Sequence, residues 1–337
     1  MSTISRMSLG IIAGSAAMAL AGPATALDEV SFGTNWVAEA EHGGFYQAVA
    51  DGTYEEYGLK VTILAGGPQK DNRALLLADK VQFFMAGNML APLNAKANDI
   101  PVVEVAAIFQ KEPQVLLAHP DQGLETLEDL AKLPTIFMGA EGFASYFQWM
   151  KQAFPEFRDE QYRPYNFDPQ VFIVDKQSAM QGYVTSEPLA IYNAAGFWPK
   201  EFLLADYGFD TPSTMIEAKS EYVETNADIV QRFVDASIIG WYNYLYNDPS
   251  LGNAAIKADN PEMSDEQIAF TIAKMKDTGM LDSGIALEKG IGCFDEAVQQ
   301  SFYDKMVKAG AVPEGIDLSK AYTNAFVCKG VGMDLKK

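Results

Sequence analysis

Short apolar runs that stop at a glycine or an asparagine, each followed by a stretch of helical periodicity, recur from Val30 onward. No other feature narrows the folds open to this chain as much. Residues 30–34 read as a strand, 43–51 as a helix, 60–64 as a strand ended by Gly66-Gly67-Pro68, and 81–86 as a strand that stops at Gly87-Asn88. A helix over 89–97 then leads to the apolar run 102–109. Strands alternating with helices of this length need crossovers on the faces of a sheet, which predicts an α/β fold with a covered, parallel or mixed sheet.

The pattern restarts at 115–119 and yields a second small unit: a capped helix at 126–130, a strand at 135–138, a helix over about 144–153, a helix near Ser178-Ala-Met and a strand at 182–185. A strand at 202–205 leads to the apolar run 214–218, and helices are expected over 227–246, 264–275 and 294–309. This order implies a first lobe of residues 27–110 with 205–337, interrupted by an inserted lobe of 111–204. Ligands usually sit in the cleft between two such lobes.

Asp and Glu number 45 against 25 Lys and Arg, a net charge of −20, so nucleic acid and anionic membrane surfaces are poor partners. With 48% hydrophobic residues the chain can bury a sizeable core. Residues 1–26 read as an export signal: Arg6, a small-residue apolar stretch from Leu9 to Leu20, and Ala24-Thr25-Ala26 as the cleavage pattern. The stretch ends at Gly22-Pro23, short of the roughly 20 apolar residues that span a bilayer. Cleavage near Ala26 predicts a protein working in the periplasm. Cys293 and Cys328, the two cysteines of an exported chain, are expected to pair, with two buried free thiols as the alternative.

Catalytic signatures are scarce. The chain has no Gly-x-Ser-x-Gly elbow, no His-Glu-x-x-His, no phosphate loop and no dinucleotide fingerprint. No catalytic residue, metal site or cofactor is expected. Polar and aromatic residues gather instead at strand ends: Asn35-Trp36, Asn88, Glu141-Gly142, and Tyr183 with Glu187. The carboxyl ends of strands face the ligand crevice in sheets of this kind, so these segments should converge. Glu41, His42, Tyr46 and Tyr146 complete the candidate set, with a helix start after Gly142 as a possible anion anchor. The cluster Trp241-Tyr-Asn-Tyr244-Leu-Tyr246 reads as the buried face of a long helix and is left out of the site.

At these residues the chain resembles the thiamine-pyrimidine-precursor branch of ABC transporter solute-binding proteins. The likeness rests on Asn35-Trp36, His42 seven residues past the asparagine, Gly52-Thr-Tyr54, Glu56-Tyr-Gly58-Leu59, Gly139-Ala-Glu141-Gly142, and the stretch Gly182 to Pro188. The resemblance implies a two-lobed, type II periplasmic-binding fold, a monomer, that closes on a small molecule and docks on a membrane permease. A eukaryotic branch is a pyrimidine synthase that needs a pyridoxal-phosphate lysine and a histidine after the third strand. The stretch Phe83-Phe-Met-Ala-Gly-Asn-Met-Leu-Ala-Pro92 holds neither, so that enzyme is not expected. Similar architectures bind sulfonates, nitrate, riboflavin or aromatic acids. With no basic residue near Asn35, Asn88, Gly142 or Glu187, the expectation leans to an aminopyrimidine stacked on Trp36 and Tyr183, its amino group donating to Glu187.

Overall fold

The computed structural model describes residues 26–67 and 70–336. The expected leader, apart from Ala26, lies outside the described residues. Among the described residues, ten strands form two sheets. The first comprises β1 (Asp28–Gly33), β2 (Leu59–Leu64), β3 (Phe83–Asn88), β4 (Val102–Phe109) and β10 (Ser213–Lys219) in the order β2-β1-β3-β10-β4. The second comprises β5 (Gln114–Ala118), β6 (Thr135–Met138), β7 (Tyr162–Pro164), β8 (Ser178–Tyr183) and β9 (Lys200–Leu203) in the order β7-β6-β8-β5-β9. β1 runs parallel to β2 and β3, whereas β10 inserts antiparallel between β3 and β4. In the second sheet β6 is parallel to β7 and β8, and β5 is antiparallel to β8 and β9. Both sheets are therefore mixed, and the fold is the helix-flanked, two-sheet α/β arrangement that the alternation implies. The chain crosses between sheets from β4 to β5 and again from β9 to β10.

β4 is buried along its whole length, and β10 along nearly all of its own, because helices cover both faces. Helix Ala227–Tyr246 lies over the first sheet and buries Trp241, Tyr242 and Tyr244 completely or almost so, as the sequence suggests. Helix Gly43–Ala50 crosses it at two glycines. A Cβ on Gly43 would sit 2.0 Å from the Tyr244 ring, and one on Gly44 2.2 Å from Trp241, so side chains there would push the helices apart. Cys293 and Cys328 are joined as a disulfide with their Cα atoms 4.8 Å apart.

Three local expectations change. Ser178-Ala-Met is not helical but the start of β8, because β8 is a central strand flanked by β6 and β5 and its apolar run fills that slot. After Leu203 the chain turns into a short 3-10 helix, Leu204–Tyr207, so the strand ends two residues before the expected 205. The helix expected over 144–153 is split into Ala140–Ala144 and Tyr146–Ala153 by Ser145, whose φ of −113° and ψ of −98° are not helical.

Helix Asp265–Asp277 reaches across to the second sheet's unit. Gln267 and Thr271 both donate to the carbonyl of Thr185, at 3.1 and 2.8 Å. Lys274 pairs with Glu201, and Phe270 stacks on Trp198 at 5.8 Å.

Candidate functional site

The strand ends converge. Asn35-Trp36 follows β1 in a turn held by four hydrogen bonds. Thr34 Oγ1 donates to the Trp36 carbonyl at 2.8 Å, the Gly66 N–H donates to the same carbonyl at 2.9 Å, and the Asn72 amide donates to the carbonyls of Thr34 and Leu64. Gly66 is required because a Cβ there would meet the Thr34 carbonyl at 2.4 Å. The Trp36 ring so fixed stands 5.3 Å from Phe167 of the second unit, and Phe167 stands 5.4 Å from Tyr165. Three rings thus form an aromatic wall across the cleft. Phe167 is 50% exposed and holds φ at +65°, a conformation costly for a bulky side chain. A strained, half-exposed ring is a frequent mark of a binding surface.

Acids crowd the space beside that wall. Glu41 and His42 lie in the short 3-10 turn Ala40–His42 and are almost fully buried. The Thr185 hydroxyl, from the other side of the cleft, donates to Glu41 Oε1 at 2.6 Å. Burial raises the Glu41 carboxyl, and the Thr185 bond works against that rise. His42 is 1% exposed, its Nε2 lies 3.7 Å from Glu39, and burial depresses its pKa to about 3, so the ring is neutral. Glu39 is raised well above the usual carboxylate range by burial and by the charges of Glu41 and Glu187.

Glu187 opens helix Glu187–Ala195 and folds back so that Oε2 accepts the Tyr183 N–H at 2.6 Å. A Cβ on Gly182 would lie 2.9 Å from the Glu187 side chain, which is why a glycine precedes Tyr183. Burial pushes Glu187 up to about 7. Glu112, in the crossing between β4 and β5, is 2% exposed and pushed up to about 8, chiefly by burial, with Ser213 and Asn88 drawing it down and Glu141 raising it. The Tyr183 phenol is raised by burial and then by Glu112, Glu39, Glu141 and Glu41, which places it among all of them. Tyr146 is buried and donates to Gln181 Oε1 at 3.0 Å, the same oxygen that receives the Gly139 N–H at 2.6 Å.

Among the described residues, no Lys or Arg lies within ion-pair distance of Glu39, Glu41, Glu112, Glu141 or Glu187. No group of three or more His, Cys, Asp or Glu is arranged there to hold a metal ion. Carboxylates without cations favour a positively charged or hydrogen-bond-donating solute and disfavour an anion. A recess of about 890 Å³ lined by Lys96, Pro101, Glu224, Ile316 and Lys320 opens near the start of β4, away from this cluster.

Two candidates do not join the cluster as expected. Tyr46 is turned to helix Ser250–Asp259, where its hydroxyl donates to Asp259 at 2.9 Å. Gly142 itself lies inside helix Ala140–Ala144; the helix start after it comes at Tyr146, with Ser145 at the cap position making no side-chain cap bond and turning its hydroxyl back onto the Glu141 carbonyl at 2.6 Å. Asn88 does end β3, opposite Ser213 of β10, and Glu141 is exposed on the 140–144 helix. Sequence reasoning missed Glu39, Glu112, Tyr165, Phe167 and Thr185.

The NMT1/THI5 like family matches residues 39–251. Over 315 residues the chain is 22% identical to the riboflavin-binding protein RibY of Chloroflexus aurantiacus, which covers 90% of this chain and 87% of that one. A shorter stretch of 97 residues, 29% of this chain and 28% of the other, is 31% identical to the 4-amino-5-hydroxymethyl-2-methylpyrimidine phosphate synthase of Aspergillus parasiticus. The periplasmic aliphatic sulphonate binding protein SsuA from Escherichia coli shares the fold at a TM-score of 0.64 and 15% identity, covering 87% of this chain and 91% of that chain. The architecture is the periplasmic-binding-protein fold, and with the family match extending over more than half its length the chain belongs to the NMT1/THI5 like family.

Proposed function

We propose that this chain is the solute-binding component of an ABC importer: an exported, monomeric protein that closes its two lobes on an aminopyrimidine-like heterocycle and delivers it unaltered to a membrane permease. The observation that carries the reading is the acid cluster, without a Lys or Arg partner among the described residues, beside the wall of Trp36, Phe167 and Tyr165. A flat ring stacks on such a wall, and its amino group donates to the Glu187 oxygen not occupied by the Tyr183 N–H. A sulfonate or nitrate would face carboxyl groups with no compensating cation, a costly arrangement in a buried site. The similarity to RibY supports a second reading, riboflavin, whose ring system suits the same wall.

The test is thermal unfolding of ligand-stripped protein against aminopyrimidines, riboflavin, taurine and aromatic carboxylates. A ligand at a thousand times its dissociation constant stabilises by about 4 kcal/mol, several degrees for a chain of this size. A selective shift with an aminopyrimidine, recovered chemically unchanged, is the expected result. Glu187→Gln should then weaken binding by roughly 1.5–3 kcal/mol in calorimetry, and unchanged affinity would remove Glu187 from the site.

A further inference from the structure

We propose that the C-terminal segment is a redox-controlled cover for the free edge of the first sheet: with Cys293 and Cys328 joined the edge is closed, and with both reduced it opens while the rest of the sheet stays intact. The inference stands apart from the ligand. β4 is the last strand in the order β2-β1-β3-β10-β4, so among the described residues one side of it has no strand partner. All of its residues are buried. A long apolar edge left bare is a template for pairing with another chain, and natural sheets cover such edges.

The cover is made of two short stretches that lie on either side of helix Glu296–Lys308 in the sequence. The Ala107 N–H donates to the Gly292 carbonyl at 2.8 Å, the Glu104 N–H to the Ala321 carbonyl at 3.0 Å, and the Thr323 N–H to the Glu104 carbonyl at 2.9 Å. Neither stretch is a strand; each makes one isolated bridge to β4. The two are fastened to one another instead. Besides the disulfide, the Phe294 N–H donates to Asn324 Oδ1 at 2.9 Å, Asn324 Nδ2 donates to the Phe294 carbonyl at 3.0 Å, and the Gly330 N–H donates to the Lys289 carbonyl at 3.0 Å. The cover is loosely seated at its margin, where the recess of about 890 Å³ is walled by Ile100, Pro101 and Val103 on the sheet side and by Ile316, Thr323 and Phe326 on the other. A few backbone bonds therefore close the edge, and the disulfide keeps the stretches that make them together.

Cys293 is fully buried, whereas Cys328 is partly exposed, so a dithiol reductant meets Cys328 first. Its thiolate attacks the Cys328 sulfur, the Cys293 sulfur leaves and takes up a proton, and the second thiol of the reductant closes its own disulfide and releases the Cys328 thiol. Two electrons and two protons pass from the reductant to the pair. The constraint lost is the closure of a loop whose ends are 35 residues apart. The edge is then complete where thiols are oxidised and open where they are reduced.

The test is hydrogen exchange read by mass spectrometry on the folded protein before and after dithiothreitol, with alkylation counting the freed thiols. Peptides over 102–109 and 321–330 should exchange about tenfold or more faster after reduction, with those over β1 and β3 unchanged. Unchanged exchange over 102–109, an equal rise in every strand of the sheet, or a disulfide that resists dithiothreitol in the folded protein overturns the proposal. Asn324→Ala with the disulfide intact should leave the edge protected; if it opens the edge as far as reduction does, the disulfide is not the control. Reduction acts on the folded, unsubstituted protein, so a variant that fails to fold does not remove the test.

Discussion

Two sets of buried acids, one inside the first sheet and one in the cleft, are treated in opposite ways by the same chain. In the sheet, Glu217 of β10 is fully buried and gripped by Arg73 through two bonds of 2.8 and 2.7 Å. Its cross-strand neighbour Glu104 of β4 is raised well above the usual carboxylate range by burial and by Glu217, with Arg73 and Lys96 pulling the other way. In the cleft, Glu39, Glu41, Glu112 and Glu187 have hydroxyls and backbone N–H groups as neighbours but no Lys or Arg partner among the described residues. The sheet acids share the chain's own cations, bonded to Glu217 and acting on Glu104 without a bond; the cleft acids, among the described residues, have none beside them and are left to a proton. That contrast separates acids that hold the fold from acids that the proposed function gives to a solute.

Removing the sheet's cation is the strongest way to break the comparison. Arg73→Met strands Glu217 in the core and should cost about 3–5 kcal/mol in denaturant unfolding. If Glu187→Gln, which removes no counter-ion, costs as much, the two sets are alike and the contrast fails.

A change of pH comes next. The Glu112 carboxyl rises from 4.5 to about 8 and that of Glu187 from 4.5 to about 7 on folding. Over those windows the folded state binds more protons than the unfolded, so raising the pH lowers stability, and the loss levels off above the folded values. Between pH 6 and 8 the ligand-free protein should lose on the order of 2 kcal/mol through Glu112 alone. Glu112→Gln should flatten that slope; a slope that persists would assign it to another group. His42 works with the opposite sign, because its pKa falls from 6.5 to about 3, and its contribution is lost as the pH drops through that window.

Smaller effects sharpen the boundary. Trp36→Leu should weaken binding of an aromatic solute by about 1 kcal/mol, since stacking adds that much beyond buried area. Lys60→Ala removes a pair with Glu29 whose side chains are 63% and 78% exposed, and should change the unfolding midpoint within error at moderate salt.

Much of the scaffold is legible because glycine and asparagine punctuate it: β1, β2, β3 and β4 lie within a few residues of where their apolar runs stop. β8 is not, since a buried central strand and a buried helix turn share the same apolar composition, and only its place between β6 and β5 decides. The cleft divides the same way. Trp36, Tyr183 and Glu187 can be read as strand-end residues. Glu112 cannot, because it sits in a crossing with no periodicity and gains its neighbours when β10, after the whole second sheet, returns beside β3. Phe167 cannot either, because nothing local announces a phenylalanine at positive φ. Tyr46 bonds to Asp259 and not to a cleft residue, since helix periodicity shows that a face is covered and not which helix covers it.

Helix Asp265–Asp277 gives the cleft a clock as well as a shape. Its bonds to the Thr185 carbonyl, its pairing with Glu201 and its stack on Trp198 all tie it to the second sheet's unit, while the Thr185 hydroxyl reaches Glu41 from the same residue. Any swing that separates Glu41 from Thr185 must either carry this helix along or strip it away. If the chain captures a solute as proposed, the time it stays is set by the lifetime of contacts that never touch it, and Thr271→Val should change the dissociation rate in stopped-flow measurements while leaving ligand selectivity unchanged.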